Sequence, residues 1–263
     1  MIDLHGHYLP GVDDGAPDLE TSLAMLRLAV VDGIEAVAVT PHACSSLSKI
    51  KDLTLLRSRR DEWLAVLKEH DPGIKVCFGA EVFFTSDLLP LLRENRDLLT
   101  INDGSYFLLE FPADYVYAHS KEFVFRILTE GFIPIISHPE RNAEIQRSPA
   151  ILRDLVRAGA LCQLNAGSLR GDFGHMAQRC AYDLIQGNLV HAIASDAHDL
   201  DKRKPELSYV PALLHGVDPE KIDLYLRDVP RAVIADEAIP DIGEATSPDR
   251  HRTFFDFFRK RGT

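Results

Sequence analysis

The segment FIPIISHPER, residues 132–141, begins as a run of apolar and β-branched residues and ends in His, Glu and Arg. Runs that stay apolar at almost every position are typical of parallel strands buried on both faces. Six similar short runs recur along the chain, at residues 1–5, 36–42, 75–82, 106–111, 161–165 and 191–195. The sequence therefore predicts seven buried parallel strands.

Stretches with helical spacing separate these runs. In the first, Leu19, Leu23, Leu26 and Val30 form one apolar stripe, and Gly33 follows as a stop signal. The others are residues 53–69, 86–96, 116–130, 149–158 and 176–186. Seven β-α units without a break in composition predict one α/β domain over residues 1–235, whose sheet is either closed into a barrel or open and doubly wound.

Composition excludes several classes of function. The 263 residues carry a formal charge of −11, which argues against general nucleic-acid binding. There is no apolar run of the ~20 residues that span a membrane, and no basic, apolar leader. The four cysteines form no C-x-x-C pair, and none has an Arg six positions later, so thiol-based phosphate chemistry is not expected. We predict a cytoplasmic protein.

Residues able to bind a transition metal follow six of the seven predicted strands. They are His5 and His7, His42, Glu81, Glu110, His138, and Asp196 with His198. The carboxyl ends of parallel strands are where α/β proteins build their sites. With Asp14 from the loop at residues 11–15, there are nine candidates, enough for two or three ions. Imidazole and carboxylate without thiolate favour Mn²⁺, Fe²⁺ or Zn²⁺ in a hydrolytic site.

The motifs also carry a resemblance. Residues 2–16, IDLHGHYLPGVDDGA, resemble the opening motif of the polymerase-and-histidinol-phosphatase (PHP) superfamily, and more narrowly that of the CpsB/CapC-type bacterial protein-tyrosine phosphatases of capsule and exopolysaccharide clusters. The later motifs follow in the family's order: TPH (40–42), GAE (79–81), LLEF (108–111), SHPER (137–141), QLNAGS (163–168) and ASDAH (194–198).

The resemblance implies a distorted (β/α)7 TIM-like barrel with a trinuclear, usually manganese, site. It makes metal ligands of the same nine residues and chooses Asp14 over Asp13 by family pattern alone. It also implies that Arg141 and Arg203 bind phosphate. The expected activity is hydrolysis of phosphotyrosine on a membrane-associated tyrosine autokinase that controls polysaccharide synthesis.

Three other functions remain open. A small-molecule phosphatase, such as histidinol-phosphate phosphatase, would share the superfamily's ligands; the DDGA string and the chain length favour the tyrosine phosphatase. An amidohydrolase would usually need a bridging Lys or further His where this chain has Glu81 and Glu110. A metal-stabilised scaffold is the non-catalytic alternative, and the intact ligand set counts against it.

Some residues are harder to interpret. Glu140 either supports the site or faces solvent, and Asn165 either lines the pocket or bonds its own loop. The remaining histidines are not expected to be ligands: His70, His119, His175, His191, His215 and His251. Residues 236–249 are acidic and rich in Pro and Gly, which predicts an irregular connector. Residues 250–263 carry four phenylalanines among five basic residues. This C-terminal tail is expected either to pack on the domain as a terminal helix or to lie on an anionic membrane or a membrane-bound kinase.

Overall fold

A computed structural model describes residues 1–245. The strands of this region are β1 Ile2–Gly6, β2 Ala36–Val39, β3 His42–Ala43, β4 Lys75–Phe78, β5 Glu81–Phe83, β6 Tyr106–Glu110, β7 Ile133–Ser137, β8 Leu161–Asn165 and β9 Ala192–Ala194. Each lies within one residue or so of a predicted strand. The basic-aromatic tail, and its two interpretations, lie outside the described residues.

The strands form two sheets in which every pairing is parallel. One has the order β1-β2-β4, and the other has the order β3-β5-β6-β7-β8-β9. The predicted strands 36–42 and 75–82 are each divided in two, and each half pairs in a different sheet. The first break contains Pro41, which has no N–H to donate to a ladder. The second contains Gly79, where a Cβ would lie 3.1 Å from the Ile101 backbone.

The two ends of the strand series lie side by side. Gly6 forms a parallel bridge with Ala197. The Asp196 N–H donates to the His5 carbonyl at 2.9 Å, and the His7 N–H donates to the Ala197 carbonyl at 2.8 Å. The first strand is therefore connected to the segment that follows the last one.

Helices cover the strands. In the described region they are α1 Leu19–Asp32, α2 Leu53–His70, α3 Leu88–Glu94, α4 Arg96–Leu99, α5 Ser120–Thr129, α6 Ala143–Arg147, α7 Ala150–Arg157, α8 Ala166–Arg170, α9 His175–Gln186, α10 Val210–Leu213, α11 Pro219–Asp223 and α12 Val229–Ala235. The helix predicted at 86–96 is two short helices, and the one predicted at 116–130 begins only at Ser120. The described part of the predicted connector, residues 236–245, forms no helix or strand.

Local chemistry explains the limits of α1. The Asp18 carboxylate accepts a hydrogen bond from the Thr21 N–H at its start. At its end, Gly33 has φ of 87° and donates to two helix carbonyls, a conformation that costs glycine little. The prediction of the apolar stripe is confirmed for its two central residues, because Leu23 and Leu26 are buried. Its ends are wrong, because Leu19 and Val30 are more than a third exposed.

Side chains of successive strand residues enter two different cores. In β6, Tyr106 and Leu108 belong to a smaller cluster that Val229 and Val233 of α12 also join, whereas Phe107 and Leu109 join the larger cluster with the other helices. The smaller cluster thus occupies one side of the strands near their amino ends, and polar residues follow on the same side at the carboxyl ends. None of the helices among residues 1–245 is long and apolar enough to cross a membrane.

Candidate metal centre

The nine predicted ligands lie together at the carboxyl ends of the strands. Their ligand atoms form three overlapping groups, each within 4.8 Å: His7, Asp14, His42 and His198; His5, His7 and Glu81; and His42, Glu81 and Glu110. The other two adjoin these groups. His138 Nε2 lies 2.8 Å from Glu81 Oε1, and Asp196 Oδ1 lies 3.4 Å from His7 Nε2. Their role as ligands remains a prediction.

Three histidines have one ring nitrogen held away from the cluster. His5 Nδ1 lies 2.8 Å from Gln163 Oε1, and His7 Nδ1 lies 2.7 Å from Asp13 Oδ2. His198 Nδ1 lies 2.8 Å from the Asp196 carbonyl oxygen. Because these oxygens are acceptors, each Nδ1 donates to one of them, and each Nε2 is the ring nitrogen that faces the cluster. Metal-binding histidines are oriented in this manner.

Asp13 and Asp14 occupy different environments. Asp13 is buried, and its carboxylate accepts hydrogen bonds from the His7 ring and from the His42 and Gly15 N–H groups. Burial opposes its charge, but the His7 charge and these bonds hold the pKa of Asp13 below its usual value. Asp14 is 41% exposed, with Oδ1 3.4 Å from His42 Nε2 and 3.5 Å from His198 Nε2. Asp14 thus faces the cluster, and Asp13 supports it from behind.

Several buried atoms of the cluster have no hydrogen-bond partner among residues 1–245. They are His42 Nδ1, Glu81 Oε2, Glu110 Oε2, Asp196 Oδ1 and His198 Nε2. A buried polar atom without a partner destabilises the folded state by about 1–3 kcal/mol, and a charged one destabilises it by more. Two of the five, His42 Nδ1 and Glu81 Oε2, lie 3.1 Å apart, so protons or cations between these atoms would relieve the cost. This donor set of imidazole and carboxylate fits divalent transition metals.

The ionisation of the cluster reflects its crowding. Burial and the Glu81 charge raise the pKa of Glu110 to about 8. For Glu81 itself burial acts in the same direction, yet the His5 and His138 charges outweigh it and hold its pKa well below the usual value. Burial disfavours a charged His7, but Asp13 raises the pKa of that ring to about 10. The charged form is thus favoured at His7, whereas burial lowers the pKa of His138 to about 4.

Two guanidinium groups border the cluster. Asp196 Oδ2 accepts hydrogen bonds from Arg141 at 2.9 Å, from Arg203 at 2.5 Å and from the Asn165 amide at 2.8 Å. Both guanidinium carbons also lie over the Phe173 ring, at 4.4 and 5.9 Å from its centroid. Arg203, predicted by resemblance alone from a charged loop, is therefore beside the site.

The structure decides both residues left open by the sequence. Glu140 is completely buried, so the solvent-facing interpretation is wrong. It accepts hydrogen bonds from the Asn165 N–H and the Ser168 hydroxyl, and burial raises its pKa to about 7. Asn165 does both things considered for it, because its oxygen accepts from the Gly167 N–H of its own loop while its amide donates to Asp196.

Of the six histidines not expected to be ligands, the five within the described residues are absent from the metal-binding groups. His70, His119, His175 and His215 are exposed. His191 is buried, and its Nδ1 accepts a hydrogen bond from the Cys162 N–H at 3.1 Å. His251 lies outside the described residues.

Sequence reasoning missed the residues that hold the candidate ligands. Gln163 and Phe173 contact the predicted metal or phosphate residues without being candidates themselves, and Asp13 was considered only as the alternative to Asp14. For Gln163 a signal existed, since a polar residue stands within an otherwise apolar strand. Nothing in the sequence marked Phe173.

Comparison with known proteins gives consistent findings. The family model described as capsular polysaccharide synthesis, CpsB/CapC, matches residues 1–223. The tyrosine-protein phosphatase YwqE of Bacillus subtilis is 33% identical over 258 residues, covering 98% of this chain and all of that protein. The tyrosine-protein phosphatase CpsB of Streptococcus pneumoniae is 29% identical, covering 91% of this chain and all of that protein.

Solved structures agree at the level of the fold. A crystal structure from work on YwqE of Bacillus subtilis and CpsB of Streptococcus pneumoniae, described as metal-dependent tyrosine phosphatases, superposes with a TM-score of 0.85 at 32% identity. It covers 94% of this chain and all of that one. The phosphotriesterase from Mycobacterium tuberculosis superposes with a TM-score of 0.55 at 11% identity, over 89% of this chain and 93% of that one, a likeness of fold alone.

Proposed function

Because the chain belongs to the CpsB/CapC family, we propose that it is a metal-dependent phosphatase that removes phosphate from tyrosine side chains of a protein. The observation that carries this proposal is the set of five buried, unpartnered atoms directed into one cluster beside two guanidinium groups. The names of the relatives support the choice of substrate.

We propose that two or three divalent ions bind among His5, His7, Asp14, His42, Glu81, Glu110, His138, Asp196 and His198. Mn²⁺ is the proposed metal, with Fe²⁺ and Zn²⁺ as alternatives. Such ions supply a water activated for attack and positive charge for the phosphate oxygens. Gln163 and Asp13 keep His5 and His7 in the ring orientation that this role needs.

Arg141 and Arg203 are proposed to bind the phosphate oxygens directed away from the metal ligands. Guanidinium groups suit this task because they donate two parallel hydrogen bonds and stay charged at all relevant pH values. Their hydrogen bonds to Asp196 and their contact with Phe173 keep both groups at the edge of the cluster. The substrate therefore meets donors already in place.

The leaving group makes assistance by an acid less critical. Tyrosine phenolate, with a pKa near 10, leaves more easily than the alkoxide of serine. Hydrolysis of an aryl ester therefore depends less on a proton donor next to the leaving oxygen than hydrolysis of an alkyl ester does.

The biological setting is also a proposal. We propose a cytoplasmic enzyme that acts on a membrane-associated tyrosine autokinase and thereby regulates capsule or exopolysaccharide synthesis. The description of the matched family, capsular polysaccharide synthesis, supports this setting. Membrane contact through residues 250–263 stays a prediction.

We further propose that the two sheets form one distorted seven-stranded barrel within a domain ending near residue 235. β2 and β3 would together count as one strand of the barrel, and so would β4 and β5, because only two residues separate the two halves in each case. The bridge between Gly6 and Ala197 would close the ring. The two cores would then be the barrel interior and the layer between barrel and helices.

Activity measurements on three substrates test the function. We expect the Mn²⁺-loaded protein to hydrolyse a phosphotyrosine peptide much faster than a phosphoserine peptide or histidinol phosphate. Chelation should abolish this activity and Mn²⁺ should restore it, while His42→Ala and Asp196→Ala should each leave little of it. Full activity after complete chelation would refute the metal-dependent mechanism, and a preference for histidinol phosphate would refute the substrate.

A further inference from the structure

A small pocket opens next to the candidate metal centre. It has a volume of about 140 Å³ and lies between the loop that follows β6 and the turn that follows β7. Six of its eleven lining residues are apolar, among them Phe111, Pro112, Ala113, Pro139 and Ile145. For comparison, an apolar cavity of about 150 Å³ in another protein binds one benzene molecule. The pocket therefore has the volume and the lining for a single aromatic ring.

Three residues of the candidate site also line this pocket. Glu110 and His138, both predicted metal ligands, line it together with Arg141, a predicted phosphate-binding residue. A ligand that filled the pocket with a ring would thus have its next substituent close to the candidate site for phosphate. This combination matches an aryl phosphate better than an alkyl phosphate, which would leave the apolar walls in water.

The two walls are fixed to each other before any ligand arrives. The Asn142 amide donates to the Pro112 carbonyl at 2.7 Å and to the Tyr115 carbonyl at 3.0 Å. Its side-chain oxygen caps α6 on the opposite wall by accepting from the Glu144 and Ile145 N–H groups. The Ala143 N–H also donates to the Ala113 carbonyl at 2.8 Å. The width of the pocket is therefore set by hydrogen bonds.

One wall is held by stacked aromatic rings. Phe111 lies 5.4 Å from Phe84, with an angle of 24° between the rings, and Phe84 lies 4.5 Å from Tyr117, with an angle of 22°. Because each ring supports the next, Phe111 cannot turn into the pocket without losing these contacts. A preformed cavity saves the ordering cost that a flexible one would add to binding.

We propose that this pocket is the subsite for the aromatic ring of the substrate, and that it selects aryl over alkyl phosphate esters. The inference rests on the proposed function and deepens it, since it assigns the preference for tyrosine to particular residues. Burial of a phenyl ring contributes about 1.5–3 kcal/mol relative to leaving it in water, or about 10- to 100-fold in affinity.

The test compares two phosphonates that bind without being hydrolysed, phenylphosphonate and methylphosphonate. Their affinities for Zn²⁺-loaded protein are measured by calorimetry, which keeps the result independent of turnover. The wild type should bind phenylphosphonate about 10- to 100-fold more tightly. Ala113→Phe, which places a ring into the exposed mouth of the pocket, should reduce this preference to about 3-fold or less. Ala118→Phe is the matched control, because Ala118 is also exposed in the same loop but does not line the pocket.

A second measurement needs no mutation. Phenylphosphonate should shift the methyl signals of Ala113 and Ile145 through its ring current, and methylphosphonate should leave them nearly unchanged. Equal affinities of wild type for both phosphonates, or an unchanged preference in a folded Ala113→Phe protein, would overturn the proposal. If the preference is found but phosphotyrosine peptide is not hydrolysed, the subsite stands and the proposed function fails.

Discussion

Asp196 illustrates how a single carboxylate serves two parts of the site. Oδ2 accepts three hydrogen bonds, from Arg141, Arg203 and Asn165, whereas Oδ1 lies within about 3.5 Å of the rings of His5, His7 and His198. Burial opposes its charge, but the His5 and Arg203 charges hold the pKa of Asp196 well below its usual value. One oxygen thus belongs to the phosphate side and the other to the metal side.

Asp13→Asn should weaken metal binding without unfolding the protein. Asn keeps the shape of the side chain but loses the charge, and it cannot accept hydrogen bonds at both positions that Asp13 uses. We expect the affinity for Mn²⁺ to fall about 10- to 100-fold, as is usual for residues that support metal ligands. Calorimetric titration of the metal-free protein with Mn²⁺ measures this change.

The control is Asp18→Asn, which makes the same chemical change at the exposed N-cap residue of α1. Asn caps a helix about as well as Asp does, so this variant should bind Mn²⁺ like the wild type. Indistinguishable affinities of the Asp13 and Asp18 variants would mean that Asp13 does not support the site.

At this scale the sequence predicted the cluster better than its support. His5, His42, Glu81 and the other candidates were identifiable because their residue types stand at strand ends. The supporting roles of Asp13 and Gln163 were not, since both act through hydrogen bonds to His7 and His5 that depend on the three-dimensional placement of the rings.

At the scale of elements, β8 contributes without supplying any predicted ligand. Gln163 and Asn165 both lie on the same side of this strand, and they hold His5 and Asp196. Leu161, two residues before Gln163 on the same side of β8, belongs to the smaller core. This side of the strand thus changes from core to candidate site along its length. A strand with no metal-binding residue is therefore still part of the site.

His191, which precedes β9, predicts a pH effect on stability. Burial lowers its pKa to about 4, whereas an unfolded histidine titrates near 6.5. Between these values the unfolded state binds more protons, so stability is complete above pH 6.5 and decreases as the pH falls towards 4. The contribution lost is roughly 3 kcal/mol.

His191→Asn should remove this part of the acid sensitivity. An Asn oxygen can still accept from the Cys162 N–H, but it does not titrate. Urea unfolding at pH 7 and pH 4.5 should show a smaller loss for this variant than for the wild type, with His215→Asn at an exposed position as the control. An equal loss in all three proteins would assign the acid sensitivity to other groups.

The local patterns predicted every strand segment but not every helix. Buried strands are marked by their apolar runs, and α1 and α2 by long periodic stretches. Helices such as α6 and α8 have five residues each, which is too short for a period to be recognised. They form because Asn142 and Asn165 cap them, a feature that indicates a turn as readily as a helix.

For the whole molecule, metal and stability should be linked. The charged and unpartnered groups of the cluster are close together only in the folded chain, so ions that bind there favour that state. Chelation should lower the midpoint of thermal unfolding by about 5 to 10 °C when the free metal had been near 100 times its dissociation constant. Differential scanning calorimetry with and without Mn²⁺ measures the shift.

Asp196→Ala should show a much smaller difference between the two conditions, because it removes an oxygen from the cluster. The same midpoint for metal-free and metal-loaded wild type would mean that the ions do not bind the folded state selectively.

The path of the chain was the least predictable property. A single α/β domain followed from the alternation of strands and helices. The pairing of Gly6 with Ala197, in contrast, joins residues 191 positions apart and leaves no local signal in either segment.

That pairing also governs when the protein can first acquire its metal. During synthesis, β1 leaves the ribosome early and can pair with β2, but Ala197, on its other side, emerges only after about 190 further residues have been translated. Until then, the side of β1 that faces Ala197 in the folded protein has no partner. Forming a contact between residues so far apart in the sequence is slow compared with local folding. A truncated chain that ends before residue 196 lacks Asp196 and His198, so we expect it to have no complete site with which to retain an ion.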